Sequence, residues 1–117
     1  MDDDEASTGR PDGDPMLERL VTQLSAQHET VELIVFTAAG RFTGVVMDRR
    51  DFNRYCTARL GDAGASGVGT VFDEVDATDG DHLHLHEAKL FVPPAAHVDI
   101  GVLRIRLADI IAWTVAY

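Results

Sequence analysis

A mainly β domain is predicted for this chain: one N-terminal helix, then about five short strands that curl into a small, strongly bent antiparallel barrel. Three observations predict it. Apolar residues recur at helical spacing between residues 16 and 24; from Thr30 onward they follow the two-residue rhythm of strands; and turn formers punctuate at Ala39-Gly40, residues 61–69 and Pro93-Pro94.

The elements follow in order. Residues 1–14 are acidic and small, broken by Gly9, Pro11 and Gly13, and read as a disordered tail. Asp14 is the candidate N-cap and Pro15 the first helical residue, followed by MLERLVTQLSAQH, whose Met16 or Leu17, Leu20, Val21 and Leu24 form one apolar face. That face is expected to cap the barrel end, the alternative being a neighbouring subunit. TVELIVFTA and RFTGVVMD, joined by Ala39-Gly40, form a hairpin. Gly44 inside the second strand implies a sharp bend or close approach of another backbone. Residues 61–69 and 73–81 read as a glycine-rich acidic loop, with Val71 and Phe72 touching the core. HLHLHEAKLFV alternates and ends at Pro93-Pro94; DIGVLRIRL is the next strand, and a break near Ala108-Asp109 precedes IIAWTVA.

One domain of 117 residues is expected, 15–117 after the tail. No apolar run reaches the roughly 20 residues of a membrane helix and the N-terminus lacks the pattern of a signal peptide, so a cytoplasmic protein is expected. The single cysteine, Cys56, has no internal disulfide partner and reads as an idle thiol. Net charge is −10, which argues against a phosphate-rich partner. The distribution qualifies this. Acids concentrate in residues 1–15 and 61–81, whereas Arg41, Arg49, Arg50, Arg54 and Arg59 face only Asp48 and Asp51 over residues 41–60. A chain so rich in arginine and aspartate also fits a salt-adapted or GC-rich source, where acidity serves solubility.

Two motifs carry a family resemblance. Gly40-Arg41-Phe42-Thr43-Gly44-Val45-Val46 and Ile105-Arg106-Leu107-Ala108-Asp109-Ile110 resemble, in order and spacing, the two motifs of the Sm-like (Lsm/Hfq-type) family. SH3-like and PRC-like barrels share much of the pattern. The similarity covers residues 15–49 and 79–115 and implies an N-terminal helix, a five-stranded bent barrel, homo-oligomers joined through the fourth and fifth strands, and single-stranded RNA as ligand. Leu107 stands where the family usually has the glycine that lets RNA approach.

Two registers are open for the third strand. In one, Phe52-Asn53 matches the family's apolar-Asn pair and NRYCTARL is the strand; in the other, preferred, "HLHLHEA" is the strand and His82 takes the place of the RNA-contacting Asn. Residues 50–80 are then an expanded insertion loop. The resemblance then implies RNA-binding candidates: His82 against a base, with Arg41, Arg49, Arg50, Arg104 and Arg106 attracting phosphates. Arg106 has a second reading, holding the turn before the last strand through Asp109.

On a strand, His82, His84 and His86 share a face about 7 Å apart. The preferred reading is a solvated face opposite Leu83 and Leu85. RNA or partner contact is the second, a pH-dependent face another, and a metal site the weakest, since HxHxHE resembles a cupin motif but only His28 and His97 remain to complete it. No metal or other cofactor is expected. Ser7, Ser25 and Ser66 lack a nucleophile elbow and the glycine loop lacks a phosphate-binding lysine, so no enzyme is expected either. The expected function is a noncatalytic, homo-oligomeric Sm-like protein that binds single-stranded RNA. Its alternative is a protein-interaction or assembly module without RNA, favoured by the acidity and by Leu107.

Overall fold

The computed structural model describes residues 14–65, 67, 82–94 and 96–116. The expected tail, apart from Asp14, and most of the acidic loop, including Val71 and Phe72, lie outside these residues. Within them run helix α1 (Pro15–Gln27), β1 (Glu32–Thr37), β2 (Gly40–Val46), helix α2 (Arg49–Asp62), β3 (His82–Val92), β4 (Ala96–Arg106), a short 3-10 turn (Leu107–Asp109) and β5 (Ile110–Val115). No helix among them is long and apolar enough to cross a membrane.

The five strands form one antiparallel sheet in the order β4-β3-β2-β1-β5. The sheet is mainly antiparallel hairpins, as expected, but β4 and β5 do not pair, so it is open rather than closed into a barrel. Bending comes from irregularities in the ladder. Register shifts occur between Thr43 and Val45 on β2 and between Leu85 and Lys89 on β3, where Glu87 takes φ 51° and Gly101 opposite Ala88 takes φ 92°. Gly44 serves the close approach its position implied: a Cβ there would meet Leu85 Cβ at 2.9 Å.

Helix α1 begins as its sequence requires. Asp14 Oδ1 accepts the Met16 N–H at 2.9 Å and Pro15 opens the helix; His28 ends it in the left-handed conformation. Its apolar face packs on this chain's own sheet: Leu17 is fully buried with Leu33, Val35, Val46, Leu83, Leu85, Ala88, Ile105 and Leu107, and Leu20, Val21 and Leu24 pack against them. Leu107, on the 3-10 turn before β5, is thus almost fully buried. Its side chain is in the core.

The insertion expected as a loop over residues 50–80 opens instead with α2. Asp48 caps it, accepting the Arg50 N–H at 3.2 Å, and residues 53–60 are its middle rather than a strand. Apolar periodicity could not reveal it, because Phe52 is its one buried residue. The third strand begins at His82, with Leu83 and Leu85 pointing into the core.

Candidate functional site

The first residue of β3 meets the last of β4. His82 pairs with Arg106 across the ladder and His84 with Arg104, so the four share a face; Arg104 Nη2 lies 3.2 Å from His82 Nδ1. Arg106 Nη2 donates to Asp109 Oδ1 at 3.2 Å, an exposed pair across the 3-10 turn. The turn-holding geometry for Arg106 is thus present, worth little by itself at such exposure.

This corner adjoins a cleft of about 560 Å³ between α1 and the start of α2, lined by Glu18, Ser25, Asp48, Arg49, Arg50, His82 and His84 among others. Five candidates, His82, Arg104, Arg106, Arg49 and Arg50, therefore gather at one corner. Both signs of charge line the cleft. Ser25 Oγ donates to Asp48 Oδ2 at 3.3 Å and ties α1 to the cap of α2.

The histidines do not share one solvated face, as their alternation predicted. His84 is 3% exposed, with the Phe52 ring of α2 packed on it at 4.8 Å between centroids. His82 lies 6.5 Å from His84 on the same centroid measure. His86 is half-exposed, 3.9 Å from Glu87, and lines a different cleft with Val21, Met47 and Asp51. Among the described residues no group of three or more His, Cys, Asp or Glu is arranged to hold a metal ion. The insertion helix is the cause: a strand that would alternate between core and water alternates between core and helix.

Arg41 is remote from the corner. It is the second residue of β2, opposite Phe91, with its guanidinium 4.3 Å from the centre of that ring. Cys56 lies half-buried on α2, and burial pushes its thiol pKa up, which disfavours the reactive thiolate. Sequence reasoning missed Phe52, the aromatic that covers His84, and the rings of Phe36 and Phe91 on the far part of the sheet. For the rings the available signal was cross-strand register, which single segments do not carry.

Comparison with protein-family models, with curated proteins and with solved structures finds no match to this chain.

Proposed function

We propose that the chain is a noncatalytic subunit of a homo-oligomer, assembled in the Sm-like manner by pairing β4 of one copy with β5 of the next. One observation carries the reading: the two edges of the open sheet are β4 and β5, and both expose apolar side chains. Strand β5, IIAWTV, has no charged residue, and its Ile111 is 74% exposed; on β4, Val98 is 48% exposed. Edge strands are commonly protected by charge, proline or a covering segment, because unpaired N–H and C=O groups template further pairing. A head-to-tail contact between unlike edges satisfies both and closes into a ring when the rotation permits.

Single-stranded RNA is the ligand that accompanies this reading, supported by His82, Arg104, Arg106, Arg49 and Arg50 at one corner. An assembly module without RNA is the second reading. Leu107 in the core and the carboxylates of Glu18 and Asp48 in the cleft favour it.

Light scattering across a concentration series tests the assembly. The expected result is a discrete oligomer of three or more copies. Ile111→Lys blocks the β5 edge and Val98→Lys the β4 edge, each giving monomers. Mixed together, the two variants retain one competent edge each and should form a one-to-one dimer. Wild-type protein that stays monomeric throughout would overturn the proposal.

A further inference from the structure

The outer face of the sheet carries a row of side chains that runs across all five strands. Leu33 and Val35 of β1 are buried in the core, so Phe36 lies on the opposite face. Residues directly opposite one another in a ladder share a face. Phe36 therefore continues to Ala112 on β5 and Arg41 on β2, Arg41 to Phe91 on β3, and Phe91 to His97 on β4. The contacts are close. Arg41 Cζ sits 4.3 Å from the Phe91 ring centre, and the His97 ring meets Phe91 edge-on at 5.4 Å.

The row is open, and among the described residues its cation has no carboxylate partner. Phe36 is 40% exposed and His97 is exposed, while α2 contacts the sheet at the other end of β3, at His84. Among the described residues Arg41 makes no ion pair, unlike Arg54 with Asp51 and Arg106 with Asp109; its buried Nε makes no hydrogen bond. The ring of Phe91, not a carboxylate, holds the guanidinium. The adjacent row adds Thr43 and Lys89, with Asp99 opposite Lys89.

We infer that the row Phe36–Arg41–Phe91–His97 is a stacking platform for the bases of single-stranded RNA. The inference rests on the RNA ligand proposed above and places its bases on a surface distinct from the His82 corner. A row of rings with a guanidinium stacked on one of them accepts any base by its π-face, and a cation with no carboxylate partner among the described residues attracts the phosphates. Among the described residues of these two rows, Arg41 and Lys89 stand against the single acid Asp99, a balance that complements a polyanion better than it complements the acidic surface of another copy.

The test is fluorescence anisotropy of labelled ten-nucleotide oligouridine and oligoadenosine at low and high salt. Phe91→Leu and Arg41→Gln should each weaken binding about fivefold or more, with melting temperature and molar mass unchanged. Crosslinking of 4-thiouridine-substituted oligouridine to wild-type protein should mark peptides containing Phe36, Phe91 or His97, and this remains readable if a variant fails to fold. Three outcomes overturn the platform. If the row variants bind like wild type while His82→Ala and Arg106→Ala lose affinity, RNA binds at the corner and the broader reading survives. If wild-type protein binds no oligonucleotide at low salt, the RNA ligand falls with it, whereas the molar mass still decides the assembly. If the row variants change the molar mass instead, the row is a contact between subunits.

Discussion

Trp113 on β5 donates its indole N–H to Asp14 Oδ2 at 2.8 Å, while the other oxygen of the same carboxylate caps α1 by accepting the Met16 N–H. One side chain thus joins the last strand to the first helix. The Trp113 hydrogen bond first, and the Met16 N–H second, hold the Asp14 carboxyl below its ordinary pKa.

Asp14→Ala should lower stability by about 1 kcal/mol at neutral pH, the usual cost of losing an N-cap. The pH dependence has a definite sign. A pKa depressed in the folded chain gives stabilisation that is complete above the unfolded value of about 4 and is lost as pH falls through the folded value. Urea midpoints from neutral pH down to strong acid should therefore decline less steeply in Asp14→Asn than in wild type. Equal acid slopes in the two proteins would show that the Trp113 bond contributes nothing to the acid limb.

Helix α2 depends on a single ring. Fourteen residues form a marginal helix when isolated. Phe52→Ala removes its only buried side chain and uncovers His84, at a cost of about 3–5 kcal/mol to docking. Hydrogen exchange should then lose protection across residues 50–62 while the amides of Leu33, Val35 and Leu83 keep theirs. Uniform loss across helix and sheet would instead make α2 part of the cooperative core.

Gly44→Ala should destabilise the sheet. The new methyl would lie 2.9 Å from Leu85 Cβ, 3.1 Å from its Cδ1 and 3.3 Å from the His86 carbonyl oxygen. Leu85 is fully buried, so relief requires shifting a packed strand, about 1–3 kcal/mol in all. Thermal melting measures it directly; a variant melting at the wild-type temperature would mean that β2 and β3 slide apart freely.

Legibility followed the range of the interactions. Asp14, Pro15 and the apolar spacing announce α1 because capping and amphipathicity are local. Leu83 and Leu85 located β3 for the same reason, since strand alternation is readable over a few residues. Helix α2 was hidden because its arginines and asparagine surround it and only Phe52 turns inward. His84 was then misread in turn, as a strand residue can be solvated only if nothing packs over it. Closure of the barrel was beyond any local pattern: it depends on whether β4 and β5 meet, and each is a well-formed strand either way. The Phe36–Arg41–Phe91–His97 row draws one residue from each of four strands and exists only once the registers are set.

The Met47 N–H donates to the His84 carbonyl at 2.9 Å, and Val46 pairs with Leu85, so the chain leaves β2 and returns to β3 at hydrogen-bonded neighbours. The chain between them is a detour whose two ends, at Val46 and His82, are held in the ladder. The entropy of closing such a detour rises only with the logarithm of its length, about 0.6 kcal/mol for each doubling. Lengthening that detour beyond α2 is therefore cheap, whereas α2 itself is tied to the strands that hold it: replacing it would forfeit the Phe52 ring over His84 and the Ser25–Asp48 bond to α1.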